Sequence, residues 1–473
     1  MRFKATIVLS FVLVLLGAYL YFVEFPSEKK GAEEQLVAGK LFSFSTREIT
    51  RIVIHRPEGV IDLEQFPEHP TTPWRIFNPV QTVANQQLGE ALGALVTDIK
   101  ASRLVEAKPA DLVNFGLDPP RFTVIITLQK NNTEIIEIGD ENLTGSDLYV
   151  RKGMGTGLYL VPAGIRKLLS KDLYAWRQRE VFPYSSFDIS GMRLESEKGM
   201  LELNQETEGW SMKVVRPGQR MDAAAHFRGD GTEIANLMGS LVNLRGTTFI
   251  DVNKKEKRSK LGPPLLKITV KVGKVEREAF FYRDDEDHGL IDVVTLFDFD
   301  PIFQLSEKEL GTIEPPFDTY RDRRVVLLTF PEEIETLEIK RPDEAFVLKK
   351  TKGKWQIEGG NSAPLKEVRE ISRLLADLYN LKVASFEDTL DLASDQAGIQ
   401  NPRLQLILKG KDDKSLGEIV FGKIEGEHVM ASSSAQPFSF MLHKSILDRI
   451  PRKKDFSPEE KSKEQSAAEP IDP

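Results

Sequence analysis

The chain has 473 residues, 40% hydrophobic and 29% charged, the composition of folded globular material with room for about three domains of ~150 residues. Its 72 acidic and 64 basic residues leave a net charge of −8 with no basic stripe, which argues against a nucleic-acid partner. It has no cysteine, so disulfides, thiolate metal sites, a cysteine nucleophile and lipidation at a lipobox cysteine are excluded.

Residues 5–25 form an almost unbroken apolar run with one acid, Glu24, near its end. About 20 such residues span a bilayer core of ~30 Å. Arg2 and Lys4 precede the run, so the short N-terminal flank is expected to stay cytoplasmic while the rest of the chain crosses. The run is longer than a signal-peptide core, and its exit through Tyr19, Tyr21, Phe22 and Phe25 is bulky rather than small. Residues 1–26 are therefore read as a cytoplasmic start and an uncleaved single-pass anchor, and 27–40 as a polar stalk. In a bacterium this places the bulk of the chain in the periplasm, or outside the cell, with the inner membrane as its first partner.

Two alternating runs, 49–56 and 59–63, predict a hairpin around Pro57-Glu58-Gly59, and Trp74 to Phe77 a third strand. Asn85 can cap a helix whose face would carry Leu88, Ala91, Leu92, Leu95, Val96 and Ile99. After Gly116-Leu-Asp-Pro-Pro120, the runs 122–128, 135–138, 148–150 and 158–161 predict a four-stranded meander closed by a short helix, 165–169. The Pro-Pro element is expected to open an edge strand, because proline donates nothing to a ladder.

The order then recurs. Trp74 with Pro120, Trp210 with Pro264 and Trp355 with Pro402 repeat at about 140 residues, too long for a solenoid unit and suited to a small domain. Three α+β modules are predicted, each an antiparallel meander packed on one or two helices: 41–181, 182–326 and 327–451. In the third, Gly398 to Pro402 answers Gly116 to Pro120, and Ile419-Val-Phe-Gly422 answers Ile136-Glu-Ile-Gly139. The second diverges most. It carries a Gly- and Arg-rich insertion, 215–231, helix residues Ile234, Leu237, Met238, Leu241 and Leu244, and a charged loop, 251–260. Trp176-Arg-Gln-Arg-Glu-Val181 and Tyr320-Arg-Asp-Arg-Arg-Val325 echo each other at the module ends, which leaves little linker and suggests a semi-rigid, elongated stack. Residues 452–473 are polar and are read as a disordered tail.

The N-terminal span, the Ile-rich hairpin, the Trp strand, the Leu-rich helix, Gly-Leu-Asp-Pro-Pro, Ile-Glu-Ile-Gly and the Arg-x-Arg-x-Val junction together resemble the bacterial domain-of-unknown-function family 4340. The likeness covers most of residues 1–450 and is clearest in the first and third copies. Lys260 departs from it, standing where Gly116 and Gly398 sit. The resemblance implies a membrane-anchored envelope protein, of the kind associated with auxiliary subunits of ABC-type exporters. It brings no catalytic residues.

No catalytic, cofactor-binding or metal site is assigned from the sequence. The Trps read as core side chains rather than a stacking platform. Asp284 to His288 offers ligands for Ca²⁺ or Zn²⁺, but without alternating ligand spacing it reads as a solvated hairpin turn. Asp298 and Asp300 stand alone, and Gly153, Gly155 and Gly157 lie between strands rather than before a helix, unlike a phosphate loop. The six histidines are far apart in sequence and show no ligand spacing. The expectation is a non-catalytic scaffold or binding subunit of an envelope assembly beside an ABC-type transporter, with no cofactor and with protein partners in the inner membrane or periplasm. The alternative is a polysaccharide or peptidoglycan hydrolase using carboxylates of the second module, which requires an acidic cleft there.

Overall fold

The computed structural model describes residues 39–456 except 69–72, 107–108, 110, 154, 156, 222–223, 285–288, 297–298, 300, 312, 314–315, 360–367 and 389–396. The apolar run 5–25 lies outside the described residues, as do Asp298, Asp300, most of the stalk and the tail beyond Phe456. Among the described residues no helix is long and apolar enough to cross a membrane. The chain divides into two compact units, Met1–Ile189 with Met238–Glu314, and Ser190–Leu237 with Pro315–Pro473. Among the described residues, three antiparallel sheets and a few short helices are formed.

The first sheet contains β1 (Ile49–Arg56), β2 (Gly59–Gln65), β3 (Trp74–Asn78), β4 (Thr82–Val83), β5 (Arg103–Glu106), β6 (Phe122–Leu128), β7 (Thr133–Glu141), β8 (Asp147–Lys152) and β9 (Leu158–Pro162). Their order is β4-β3-β2-β1-β6-β7-β8-β9-β5. The alternation in β1 sets the register: Ile52 and Ile54 lie opposite Leu63 and Ile61 on one side and Ile126 and Val124 on the other. All six are buried, so a one-residue slip would turn the whole set to solvent. Helices α1 (Gln86–Asp98), α2 (Gly164–Leu169) and α3 (Leu173–Trp176) accompany this sheet.

The Asn85 cap forms as expected, its side chain accepting from the Leu88 N–H. The buried face of α1 differs from the predicted one. Ala91 is exposed, and Gly89 and Gly93 take its place beside Leu92 and Val96. Trp74 is the cause. Its ring is fully buried, and a Cβ at Gly89 would stand 2.5 Å from its Cγ, so only glycine lets the helix approach. The Gln86 amide fixes the contact, donating to the Trp74 and Ala84 carbonyls while its oxygen accepts from the Trp74 N–H.

The next strands repeat this scheme in two parts. β10 (Ile189–Ser196), β11 (Gly199–Glu206), β12 (Gly209–Val215) and β13 (Ala225–Gly229) pair in the order β13-β12-β11-β10. The segment read as an insertion therefore ends in a strand that corresponds to β4. β14 (Thr248–Phe249), β15 (Leu266–Val272), β16 (Val275–Arg283), β17 (Leu290–Thr295) and β18 (Ile302–Ser306) run β15-β16-β17-β18-β14, as β6 to β9 and β5 do. Helices α4 (Gly231–Val242), α5 (Lys254–Lys260) and α6 (Glu307–Leu310) go with them. Ile234, Leu237, Met238, Leu241 and Leu244 are all buried, whereas Trp210 is only half-buried.

The third sheet contains β19 (Thr336–Lys340), β20 (Ala345–Thr351), β21 (Lys354–Ile357), β22 (Ser385–Glu387), β23 (Leu404–Lys409), β24 (Ser415–Glu425), β25 (His428–Ser433) and β26 (Gln436–His443), with α7 (Val368–Tyr379) and α8 (Ile446–Arg449). Its order, β21-β20-β19-β23-β24-β25-β26-β22, is that of the first sheet without a counterpart of β4 among the described residues. Ile371, Leu374, Leu375 and Leu378 of α7 are buried against it together with Trp355. In the first and third sheets the strand after the Pro-containing element lies at the centre, not at an edge. The prolines stop short of the ladder, which begins at Phe122 and Leu404, so no ladder donor is lost. The first residues of the supposed tail are folded too: Phe456 packs on Phe346, and Arg452 pairs with Asp343.

The Arg-x-Arg segments act as short connecting strands. Asn85 N–H donates to the Trp176 carbonyl and Gln178 N–H to that of Val83; further on, Val181 N–H donates to Leu244 and Gly246 N–H to Arg179. In the other unit Asp230 donates to Tyr320, Asp322 to Arg228, Val325 to Leu381 and Val383 to Arg323, the same four bonds. The first arginine of each is buried in a matching way. Arg177 stacks on Phe249 at 3.7 Å and holds Asp251 through two hydrogen bonds of 2.6 and 2.9 Å. Arg321 lies between Phe227 and Phe386, at 3.8 and 3.5 Å, and bonds both oxygens of Asp388. Gly39 to Leu41 makes the same backbone pairing with Ile99 and Ala101, so the end of the stalk is paired with the segment that follows α1.

Candidate functional site

In the first and third sheets two glycines make one contact. The loop at Gly116 rests on Gly139 of β7, where a Cβ would stand 2.0 Å from the Phe115 carbonyl oxygen. The loop at Gly398 rests on Gly422 of β24, where a Cβ would stand 2.1 Å from the Ala397 carbonyl oxygen. Gly116 and Gly398 also hold positive φ, of 66° and 65°. The two glycine motifs visible in the sequence are therefore the two sides of a single close approach.

The second copy has neither glycine. Phe122 pairs with Ile138, Leu404 with Phe421 and Leu266 with Phe281, so the residue after each partner is Gly139, Gly422 and Tyr282. Lys260 replaces the loop glycine. With a tyrosine side chain on the strand the loop cannot close, and a cavity of about 700 Å³ lies between them. Its lining includes Tyr282, Leu261, Pro263 and Leu265 as well as Lys257, Asp284, Asp292 and Gln304, with Tyr282 the cross-strand partner of Asp292. In the first sheet the position of Asp292 belongs to Tyr149, whose ring packs on Phe115 at 4.8 Å. A site filled by aromatic packing in one copy holds charged groups and open space in another.

The charged groups are organised. Residues 254–260, read as a loop, form helix α5, which carries Lys257 to the cavity. Its ammonium lies 2.9 Å from Asp292 and 3.4 Å from Asp284, and the Gln304 amide donates to both acids at 3.1 and 2.9 Å. Partial burial pulls the Lys257 ammonium down, but the hydrogen bond and charge of Asp292, aided by Asp284, outweigh it and hold the amine above its ordinary 10.5. Asp292 is fully buried and Asp284 nearly so. The expected solvated turn is thus wrong at its first residue, because Asp284 faces inward to meet Lys257 and Gln304; residues 285–288 lie outside the described residues. Lys257 and Asp292 escaped the sequence reading. The available signal was an acid inside the otherwise apolar run of β17.

Residues 74–263 match the model of a domain of unknown function, DUF4340. This segment belongs to the DUF4340 family. The DUF4340 match starts at the buried Trp74 of β3 and ends at Pro263 in the cavity wall. No curated protein matches the chain. Among solved structures, a DNA polymerase III subunit beta from Pseudomonas aeruginosa is 10% identical, over 68% of this chain and 82% of that one, with a TM-score of 0.12. A DNA polymerase sliding clamp from Bacillus subtilis is 8% identical, over 87% of this chain and 94% of that one, with a TM-score of 0.15. Overlaps this poor bear on neither the fold nor the function of this chain.

The other sequence candidates stay apart. Gly153 and Gly155 occupy the hairpin turn between β8 and β9, with Gly157 just before β9. One histidine pair was hidden by sequence distance: His428 and His443 are cross-strand partners with ring centroids 6.0 Å apart. Among the described residues no group of three or more potential ligands could hold a metal ion.

Proposed function

We propose that the chain is a non-catalytic scaffold or binding subunit of a cell-envelope assembly, acting beside an ABC-type transport system. Residues 5–25 anchor it in the inner membrane, and the folded bulk stands on the far side. The observation that carries the binding reading is the cavity of the second copy, at a place where the first and third copies are closed by paired glycines. Its acids are partnered by a lysine and an amide, an arrangement that holds charge in place rather than passing a proton. Purification of the full chain from bacterial membranes in gentle detergent tests the role, and the expected result is co-purification of transporter subunits. Release of the chain by carbonate washing would count against the anchor.

The hydrolase alternative gains one observation, two buried aspartates lining the cavity of the second copy. It predicts turnover of peptidoglycan or polysaccharide that Asp292→Asn abolishes, whereas a binding subunit shows no turnover in either form.

A further inference from the structure

We infer that the cavity of the second copy takes a neutral, hydroxyl-rich ligand, a saccharide; this rests on the reading of the chain as a binding protein. The first ground is charge balance. Among the described residues the cavity is lined by three acids, Glu256, Asp284 and Asp292, and three bases, Lys257, Lys260 and Arg283. A site with equal numbers of both signs has no net attraction for an anion or a cation. It instead presents fixed acceptors and fixed donors close together, with the Gln304 amide beside them. A hydroxyl both donates and accepts, so a chain of vicinal hydroxyls can meet carboxylate, ammonium and amide in turn without bringing charge of its own.

The second ground is the apolar part of the lining. Tyr282, Leu261, Pro263 and Leu265 offer an aromatic ring and aliphatic surface. A sugar ring has a polar rim and C–H faces, and the faces bury well against aromatic and aliphatic carbon. The volume of about 700 Å³ falls in the range of small-ligand sites. The third ground is preorganisation. The Lys257, Asp292 and Gln304 groups are already fixed to one another, so little side-chain freedom is lost when a ligand binds.

Gly262 supplies the test. It lines the cavity, and a Cβ built on it meets nothing within 4 Å, so Gly262→Phe adds a ring beside the cavity without a clash at the backbone. The full chain in detergent is titrated with maltotriose, cellotriose and chitotriose by saturation-transfer NMR and calorimetry. A panel of small amines, carboxylates and phosphates runs in parallel. The expected result is binding of at least one trisaccharide, weakened at least tenfold by Gly262→Phe at unchanged melting temperature and weakened likewise by Tyr282→Ala. If no trisaccharide binds at millimolar concentration but a charged compound does, sensitive to Gly262→Phe, the saccharide assignment is wrong and the binding cavity stands. If nothing in either panel binds in a Gly262→Phe-sensitive way, both fail.

Discussion

Arg321 shows most clearly what one side chain does in this chain. Its guanidinium is almost wholly buried, lies between two phenyl rings and bonds both oxygens of Asp388, which also accepts from Arg216 at 2.7 Å. Lysine cannot present its charge as a plane between two rings. Arg321→Lys should therefore destabilise its unit, and Arg321→Met, which leaves Asp388 without its main partner, should cost about 3–5 kcal/mol. Urea denaturation measures both, and a Met variant within 1 kcal/mol of wild type would show that the pair merely replaces hydrophobic packing. Glycines give a sharper contrast. Gly89→Ala drives a Cβ into Trp74 and should cost about 1–3 kcal/mol. Gly239→Ala, in the middle of α4 with open space around it, should gain about 1 kcal/mol. The same substitution in two helices is expected to have opposite signs.

Among elements, α5 and β19 carry the ionisable groups with clear consequences for pH. Glu338 of β19 is held below its ordinary 4.5, chiefly by a hydrogen bond from Lys409, with burial opposing and Lys340 assisting. A carboxylate depressed in the folded state adds stability above its unfolded value and loses that contribution as the pH falls through the folded one. Glu338→Gln should then unfold at lower urea than wild type at pH 7, and the two curves should converge in acid below pH 4.5. Lys257 of α5 works in the other direction. Its amine is raised above 10.5, so its contribution is complete below that value and is lost as the pH rises through the folded one. Lys257→Met should lower the midpoint throughout the neutral range, and the deficit should shrink only in strong alkali. The sequence made α5 look like a solvated loop because lysine-rich segments usually are. Local composition does not contain the two buried aspartates that draw its middle lysine inward.

For the whole molecule, two compact units predict an unfolding that is not two-state. Calorimetry should give a van't Hoff enthalpy clearly below the calorimetric one, and a single transition with equal enthalpies would contradict this. The strand order of the first sheet returns in the third, and both halves of it return among β10 to β18, which is the strongest structural sign of repetition. Trp74, Trp210 and Trp355 announced it, yet they differ in burial: the first and third are core residues and the second is half-exposed.

Periodicity alone determined most strands and helices, the Asn85 cap and the recurrence of one scheme, because alternation and helical spacing are local and burial of one face enforces them. The resemblance to DUF4340 was likewise carried by motif order along the chain. Tertiary structure decided what those motifs are for. Gly116 and Gly139 lie far apart in sequence and mean little singly; only folding shows them as one contact, and only their joint loss at Lys260 and Tyr282 opens a cavity. The arginines of the connecting strands were visible, but Phe249 with Asp251 and Phe386 with Asp388 were not. Such pairings depend on which surfaces meet across long stretches of chain, and close packing fixes that in three dimensions rather than along the sequence.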